Sequence, residues 1–271
     1  MNTNQKFYLV RISRLVIIGA LVVTLISQVQ AETPQEKGLR IATEASARND
    51  GFGDFTASLK MIIRNRQGRE SIRQMRFKVL EGTDDGDKSL FVFDHPKEVQ
   101  GTALLTHAHA HGPDDQWLYL PALQRVKRIS AAKRSGSFMG SEFSYEDLSA
   151  GEVNEFSYKF LHDETCGELV CTVIEQIPTT DKSTYSRKIV WQDINELRVW
   201  KMELYDQREF HLKTLTFLDY ELHVEKYWRA GKQTMENHLT DATTILEWTD
   251  FQFGTNLEEG EFTQTALRRI R

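Results

Sequence analysis

The chain has 271 residues, is 40% hydrophobic and 27% charged, and carries only two cysteines. That composition excludes a disordered or collagen-like chain, and two cysteines exclude a disulfide-built scaffold or a four-cysteine metal site. A net charge of −5 argues against a general nucleic-acid binder.

Residues 1–31 read as a cleaved secretory signal peptide. Lys6, Arg11 and Arg14 precede an apolar run at 15–26, and Val29 and Ala31 suit a cut after Ala31. The run is shorter than the roughly 20 residues of a membrane span, and the alternative is an uncleaved N-terminal anchor. Residue 32 is Glu, so a lipid-bearing cysteine after the cut is not expected. Without the leader the chain keeps 31 basic and 39 acidic residues, a net charge of −8, and residues 32–271 read as one exported domain.

Within that domain the spacing predicts a helix over 33–49, with Pro34 in its first turn and Gly38 weakening its first half. From Phe55 the apolar period becomes two. Phe55, Ala57, Leu59, Met61 and Ile63 alternate with polar residues, as do Met75, Phe77 and Val79 beyond a turn at 65–68. This pattern is a hairpin. Further strands are predicted over 89–94, 102–111, 116–120, 156–162, 169–177, 184–193, 197–205, 210–218, 222–228, 234–239 and 243–253, with a short helix over 261–271. Roughly eleven strands joined by short polar turns predict a mainly β fold, a single antiparallel sheet curled toward a barrel. Cys166 and Cys171 lie across a tight turn and read as a disulfide in an oxidising compartment, with free thiols as the alternative.

Residues 130–151 break the rhythm. They are rich in Ser and Gly yet hold Phe138, Met139, Phe143 and Tyr145. Such a segment serves either as an exposed lid or docking loop or as a plug whose aromatics fold back onto the sheet.

Nothing in the sequence matches a phosphate-binding loop, a dinucleotide fingerprint, a nucleophile elbow or a zinc-protease motif. Catalytic signals are therefore weak: carboxylates are plentiful, but none stand in a telling pair, and a hydrolase with paired carboxylates stays open on the residues alone. His107, His109 and His111 would share one side of a strand and could meet a metal. Same-face neighbours on one strand fan apart, however, and the three also read as a polar, solvent-facing strand side. Arg125, Lys127, Arg128, Lys133 and Arg134 form a local basic cluster suited to phosphate groups or an acidic partner, or simply to a solvated strand edge.

Several consecutive runs carry a more specific signal: 99–106 (VQGTALLT), 114–123 (DDQWLYLPAL), 125–129 (RVKRI), 136–141 (GSFMGS) and 143–148 (FSYEDL). Together they resemble the periplasmic outer-membrane lipoprotein-sorting proteins of the LolA-like superfamily, in the subfamily associated with RND-type (MMPL-like) exporters. The histidine run and the cysteine pair are not part of that pattern. The resemblance implies a half-open β-barrel closed by an N-terminal helix and loops, with an apolar cavity for a lipid or an acylated protein. It implies a soluble periplasmic carrier with no cofactor and no reaction, an RND-type inner-membrane transporter as donor, and transient membrane contact. Each buried CH₂ is worth about 0.8 kcal/mol, so a diacyl lipid with ~30 of them cannot cross water unaided.

On this reading Met61, Met75, Phe77, Phe91, Phe93, Trp117, Tyr119, Trp191, Trp200 and Met202 are the cavity candidates; without it they would read as ordinary core. Arg134, Phe138, Met139, Phe143 and Tyr145 would gate the cavity or dock the transporter. A periplasmic sensor of lipid or lipoprotein, acting on a membrane signalling partner, is the alternative on the same fold.

Overall fold

A computed structural model describes residues 31–149 and 151–270; the predicted signal peptide lies, but for Ala31, outside the described residues. The first helix, α1 (Pro34–Asn49), starts where the sequence predicts. Thr33 accepts from the Glu36 N–H through its side chain, Glu36 answers at the Thr33 N–H, and Pro34 occupies the first turn.

Thirteen strands follow: β1 (Asp54–Arg64), β2 (Glu70–Leu80), β3 (Lys88–His95), β4 (Ala103–His107), β5 (Asp115–Leu120), β6 (Arg125–Arg128), β7 (Phe156–Cys166), β8 (Leu169–Pro178), β9 (Tyr185–Asp193), β10 (Val199–Asp206), β11 (His211–His223), β12 (Tyr227–Asn237) and β13 (Ala242–Phe253). A four-residue helix, α2 (Gln264–Leu267), follows near the C-terminus.

All thirteen strands form one sheet in the order β6-β5-β4-β3-β2-β1-β13-β12-β11-β10-β9-β8-β7. Every pairing is antiparallel. The chain therefore starts in the middle of the sheet and meanders out to β6. It then passes to the far edge at β7 and meanders back until β13 closes against β1. This is the mainly β, single-sheet, half-open architecture that the sequence predicts, with thirteen strands in place of roughly eleven and two further corrections in detail.

First, the strand predicted over 222–228 straddles a turn. β11 and β12 meet at Val224 and Glu225, both left-handed (φ 50° and 54°), and neither Gly nor Asn marks the position. Second, the strand predicted over 102–111 stops at His107. The basic cluster at 125–128 is the short edge strand β6, whose exposed charges disfavour pairing with another chain.

The sheet must be strongly curved. Phe91 on β3 and Tyr158 on β7 line one cavity although nine strand spacings separate them, which would be roughly 43 Å in a flat sheet. On the inner face α1 covers one side, where Ile41 packs with Tyr158 and Ile174. On the opposite face Leu90, Val92, Leu105, Trp117 and Tyr119 are sealed by Phe262 and Leu267 of the C-terminal segment. Cys166 and Cys171 form a disulfide across the β7–β8 turn, with Cα atoms 5.8 Å apart.

Gly38, which weakens the helical pattern, has a packing role. A Cβ there would lie 2.8 Å from the backbone nitrogens of both Lys159 and Phe160 on β7. The glycine lets helix and strand backbones touch. Gly38→Ala should therefore lower stability by about 1–3 kcal/mol through overpacking, against its gain in helix propensity. Urea unfolding measures this, and an unchanged or raised midpoint would contradict the close approach.

Candidate functional site

Because β6 and β7 are opposite edges of the sheet, their connection has to cross its inner face. It does so as a strap with its own internal structure. The Phe138 N–H donates to the Phe143 carbonyl (2.7 Å), and Ser137 bridges Ser144. Met139 and Gly140 turn through left-handed conformations (φ 52° and 80°).

This turn drives Phe138 into the sheet. Its ring lies 5.6 Å from that of Phe93, 6.1 Å from Phe91 and 5.8 Å from Tyr145. Phe138, Phe143 and Tyr145 are buried, and Met139 packs against the same cluster. Of the two readings of this segment, the packing matches the plug, whose aromatics fold back onto the sheet. An apolar segment obliged to cross a concave apolar surface gains more by packing on it than by reaching into solvent.

Polar contacts pin the strap along its length. Arg73 on β2 donates to the Met139 carbonyl, and Gln116 on β5 donates to the Tyr145 carbonyl (2.9 Å). The Glu142 N–H donates to Thr244 on β13 (2.9 Å), and Asn237 on β12 donates to the Glu142 carboxylate (2.5 Å).

The densest anchor is a buried trio. Tyr185 on β9 donates its hydroxyl to Asp147 (2.8 Å). Lys213 on β11 donates to both Asp147 (3.1 Å) and the Tyr185 oxygen (3.1 Å). The side chains of Lys213 and Asp147 are only 9% and 4% exposed, so this is a desolvated ion pair. Burial, with the adjacent Asp147 carboxylate, pushes the Tyr185 phenol well up, which keeps it a neutral donor. Glu146 adds bonds from the Ser183 hydroxyl (2.5 Å) and the Thr184 N–H (2.8 Å).

The strap and α1 do not fill the space they enclose. A cavity of about 1030 Å³ remains between them and the sheet. Its inner wall is built from Phe77, Phe91, Leu204, Leu215, Phe217 and Trp248, with Phe143 of the strap opposite. Exposed lining residues at Asn49, at 111–113 and at 179–182 mark where it opens. The charged lining residues are Asp87, Arg134, Glu146, Asp147, Glu155, Lys182 and Lys188.

Of the residues singled out in the sequence, Phe77, Phe91 and Met202 line the cavity. Met61, Met75 and Phe93 share that face but are fully covered in the core beneath the strap. Trp117, Tyr119, Trp191 and Trp200 are corrected: they lie on the other face of the sheet. Trp117 and Tyr119 alternate with the inward Leu118 and pack on the C-terminal segment. Trp191 lies under the Lys201 ammonium (3.5 Å) and donates to Glu164. A bulge between Val199 and Lys201 leaves Trp200 unpaired, so it turns to Asp193 (3.1 Å) instead. Arg134 of the strap lines the cavity and donates to the Asp114 carbonyl (2.5 Å).

Sequence reasoning missed Tyr158, Lys188, Leu204, Leu215, Phe217, Leu246 and Trp248. The alternations Leu215-x-Phe217 and Leu246-x-Trp248 were a usable signal for four of them.

The three histidines do not converge. With the strand ended at His107, they take separate partners. His107 meets the Phe262 carbonyl (2.7 Å), His109 meets Asp85 (2.7 Å), and His111 meets Asn154 (3.2 Å). The Asp85 carboxylate raises the His109 pKa, and His109 in turn lowers that of Asp85 to about 2. Among the described residues no group of three His, Cys, Asp or Glu side chains could hold a metal ion, and no helix is long and apolar enough to cross a membrane.

Known proteins place this geometry in context. A protein-family model described as "uncharacterized protein" matches residues 85–269. No curated protein matches the sequence. A solved domain from Vibrio parahaemolyticus, named for outer membrane lipoprotein sorting, is 49% identical with a TM-score of 0.85, over 87% of this chain and 100% of that one. A DUF1329 family protein from Desulfovibrio piger is 27% identical with a TM-score of 0.82, over 87% and 99%. A LolA superfamily protein from Nitrosomonas europaea shares the fold at 19% identity, with a TM-score of 0.68 over 84% and 98%.

The buried trio generates a direct test of the strap's anchoring. Asp147→Asn leaves the Lys213 ammonium buried without its counter-charge and should cost about 3–5 kcal/mol in chemical unfolding. Replacing both partners, Asp147→Leu with Lys213→Met, should recover a large part of that loss. A single variant as stable as the parent would show that the ion pair does not hold the strap.

Proposed function

The chain belongs to the family of the outer membrane lipoprotein-sorting domain from Vibrio parahaemolyticus and shares the LolA fold, and from that premise we propose that it is a periplasmic, non-enzymatic carrier of a lipid or lipidated protein. The observation that carries this reading is the cavity of about 1030 Å³ with its aromatic and aliphatic wall. That volume stands at the upper end of small-molecule sites, roughly 300–1,000 Å³, and suits one amphiphile.

A tightly packed interior leaves few voids larger than water. A space this large, bounded by Phe77, Phe91, Phe217 and Trp248, supports the reading of a binding site. Removing an acyl chain from water supplies the affinity, and the open end leaves a headgroup or an attached polypeptide in solvent. Half-buried Met202 and Phe217 can repack around chains of different shape.

The finer assignment of an RND-type inner-membrane transporter as donor rests on the sequence resemblance alone. Export through the leader at 1–31 is the route by which the chain would reach that compartment.

Native mass spectrometry with lipid extraction, on protein purified from its own periplasm, tests the reading. About one lipid or acylated peptide per protein is expected. A ligand-free protein that also fails to take up oleate in vitro would overturn it. Trp248 provides an internal reporter, because its indole lines the cavity and bonds Gln233 (3.3 Å). Oleate should change the tryptophan emission, and Trp248→Phe should abolish that change. A change that persists in Trp248→Phe would place the ligand elsewhere.

A further inference from the structure

One residue in the cavity wall is out of keeping with the rest. Lys188 on β9 stands in register with Gln176 on β8 and Leu204 on β10, and all three line the cavity. A lysine therefore occupies an inward-facing position of the sheet. Its ammonium lies 4.8 Å from the centre of the Phe156 ring and 5.7 Å from that of Tyr185. Among the described residues no ion pair or side-chain hydrogen bond engages it. Arg134 lines the same cavity, and of its guanidinium the structure records only the bond to the Asp114 carbonyl.

The acids of the cavity wall do not supply the missing counter-charge. Asp147 is taken by Lys213 and Tyr185, and Glu146 by Ser183 and Thr184. Asp87 accepts from the Gly82 N–H (3.0 Å). Glu155 is close enough to feel both Arg134 and Lys188, but among the described residues no ion pair or side-chain hydrogen bond joins it to either. A half-buried ammonium with three donors and no acceptor is costly against an apolar wall, and an anion resolves that cost whereas a neutral or cationic group does not.

We propose that Lys188, assisted by Arg134, receives the anionic headgroup, carboxylate or phosphate, of a single amphiphile whose chain lies along Phe77, Phe91, Leu215 and Phe217. This rests on the carrier reading and adds to it the charge of the cargo. The aromatic ring beside the ammonium orients it without competing for its donors, so the bound headgroup is both paired and placed.

Delipidated protein is titrated with oleate at pH 8.5 and separately with monoolein, which offers a similar chain with a neutral head. The same titrations are run on Lys188→Gln and Lys188→Arg. Oleate should bind the parent more tightly than monoolein. Lys188→Gln should weaken oleate by about tenfold or more, the scale of a lost charge-assisted hydrogen bond, while changing monoolein by less than about twofold. Lys188→Arg should keep most of the oleate affinity, which separates a lost charge from a disturbed fold.

Equal losses for both ligands, or no loss for oleate, would overturn the headgroup assignment and leave the carrier reading standing. If neither ligand binds the parent, both readings fall. Inorganic phosphate bound as tightly as oleate would also overturn the proposal, since the site would then recognise a free anion without the chain.

Discussion

The pairing of β1 with β13 is the constraint on which the rest of this structure depends. It places the start of the strand array in the middle of the sheet and leaves β6 and β7 as its two free edges. One connection must then join edges that lie on opposite sides of a curved sheet, and the short way runs across the inner face. The strap is the consequence of that topology. Its aromatic content follows from the surface it crosses, and its polar contacts follow from the need to hold a segment that has no strand partner of its own. The buried Asp147–Lys213–Tyr185 trio is costly to desolvate, yet it ties the strap to β9 and β11 at one defined position.

The cavity follows from the same arrangement. The inner face of thirteen strands presents more apolar surface than one helix and one strap can cover. Helix α1 covers Tyr158 and Ile174, and the strap covers Met61, Met75 and Phe93. What lies between them stays open, walled by side chains that the sheet's curvature brings together from β2, β3 and β7 through β13. A fully closed barrel of this size would need no strap, and a flatter sheet would enclose no space.

How much of this was legible in the residues depends on the range of the interaction involved. The helix at 34–49 was readable because a capping box and an N-terminal proline are local signals. Most strands were readable because alternation is local too. The disulfide partners, the basic edge strand and the large inward residues of β1 to β3 could be named for the same reason. The histidine run misled because alternation assumes that a strand continues, and β4 ends at His107. Trp117 and Trp191 misled because size and hydrophobicity say that a residue is buried without saying on which face of the sheet.

The sequence by itself determined the β-rich class and the run of motifs that marks the family, and it singled out the crossing segment by its broken rhythm. Tertiary structure alone decided that this segment is a plug, which residues line the cavity, and that Lys188 stands on its wall with no ion pair among the described residues. The physical reason is that strand pairing, sheet curvature and bulges are long-range properties. A single bulge, as beside Trp200, turns a side chain to the other face. The contact between β1 and β13 joins residues far apart in the chain, and no local pattern records it.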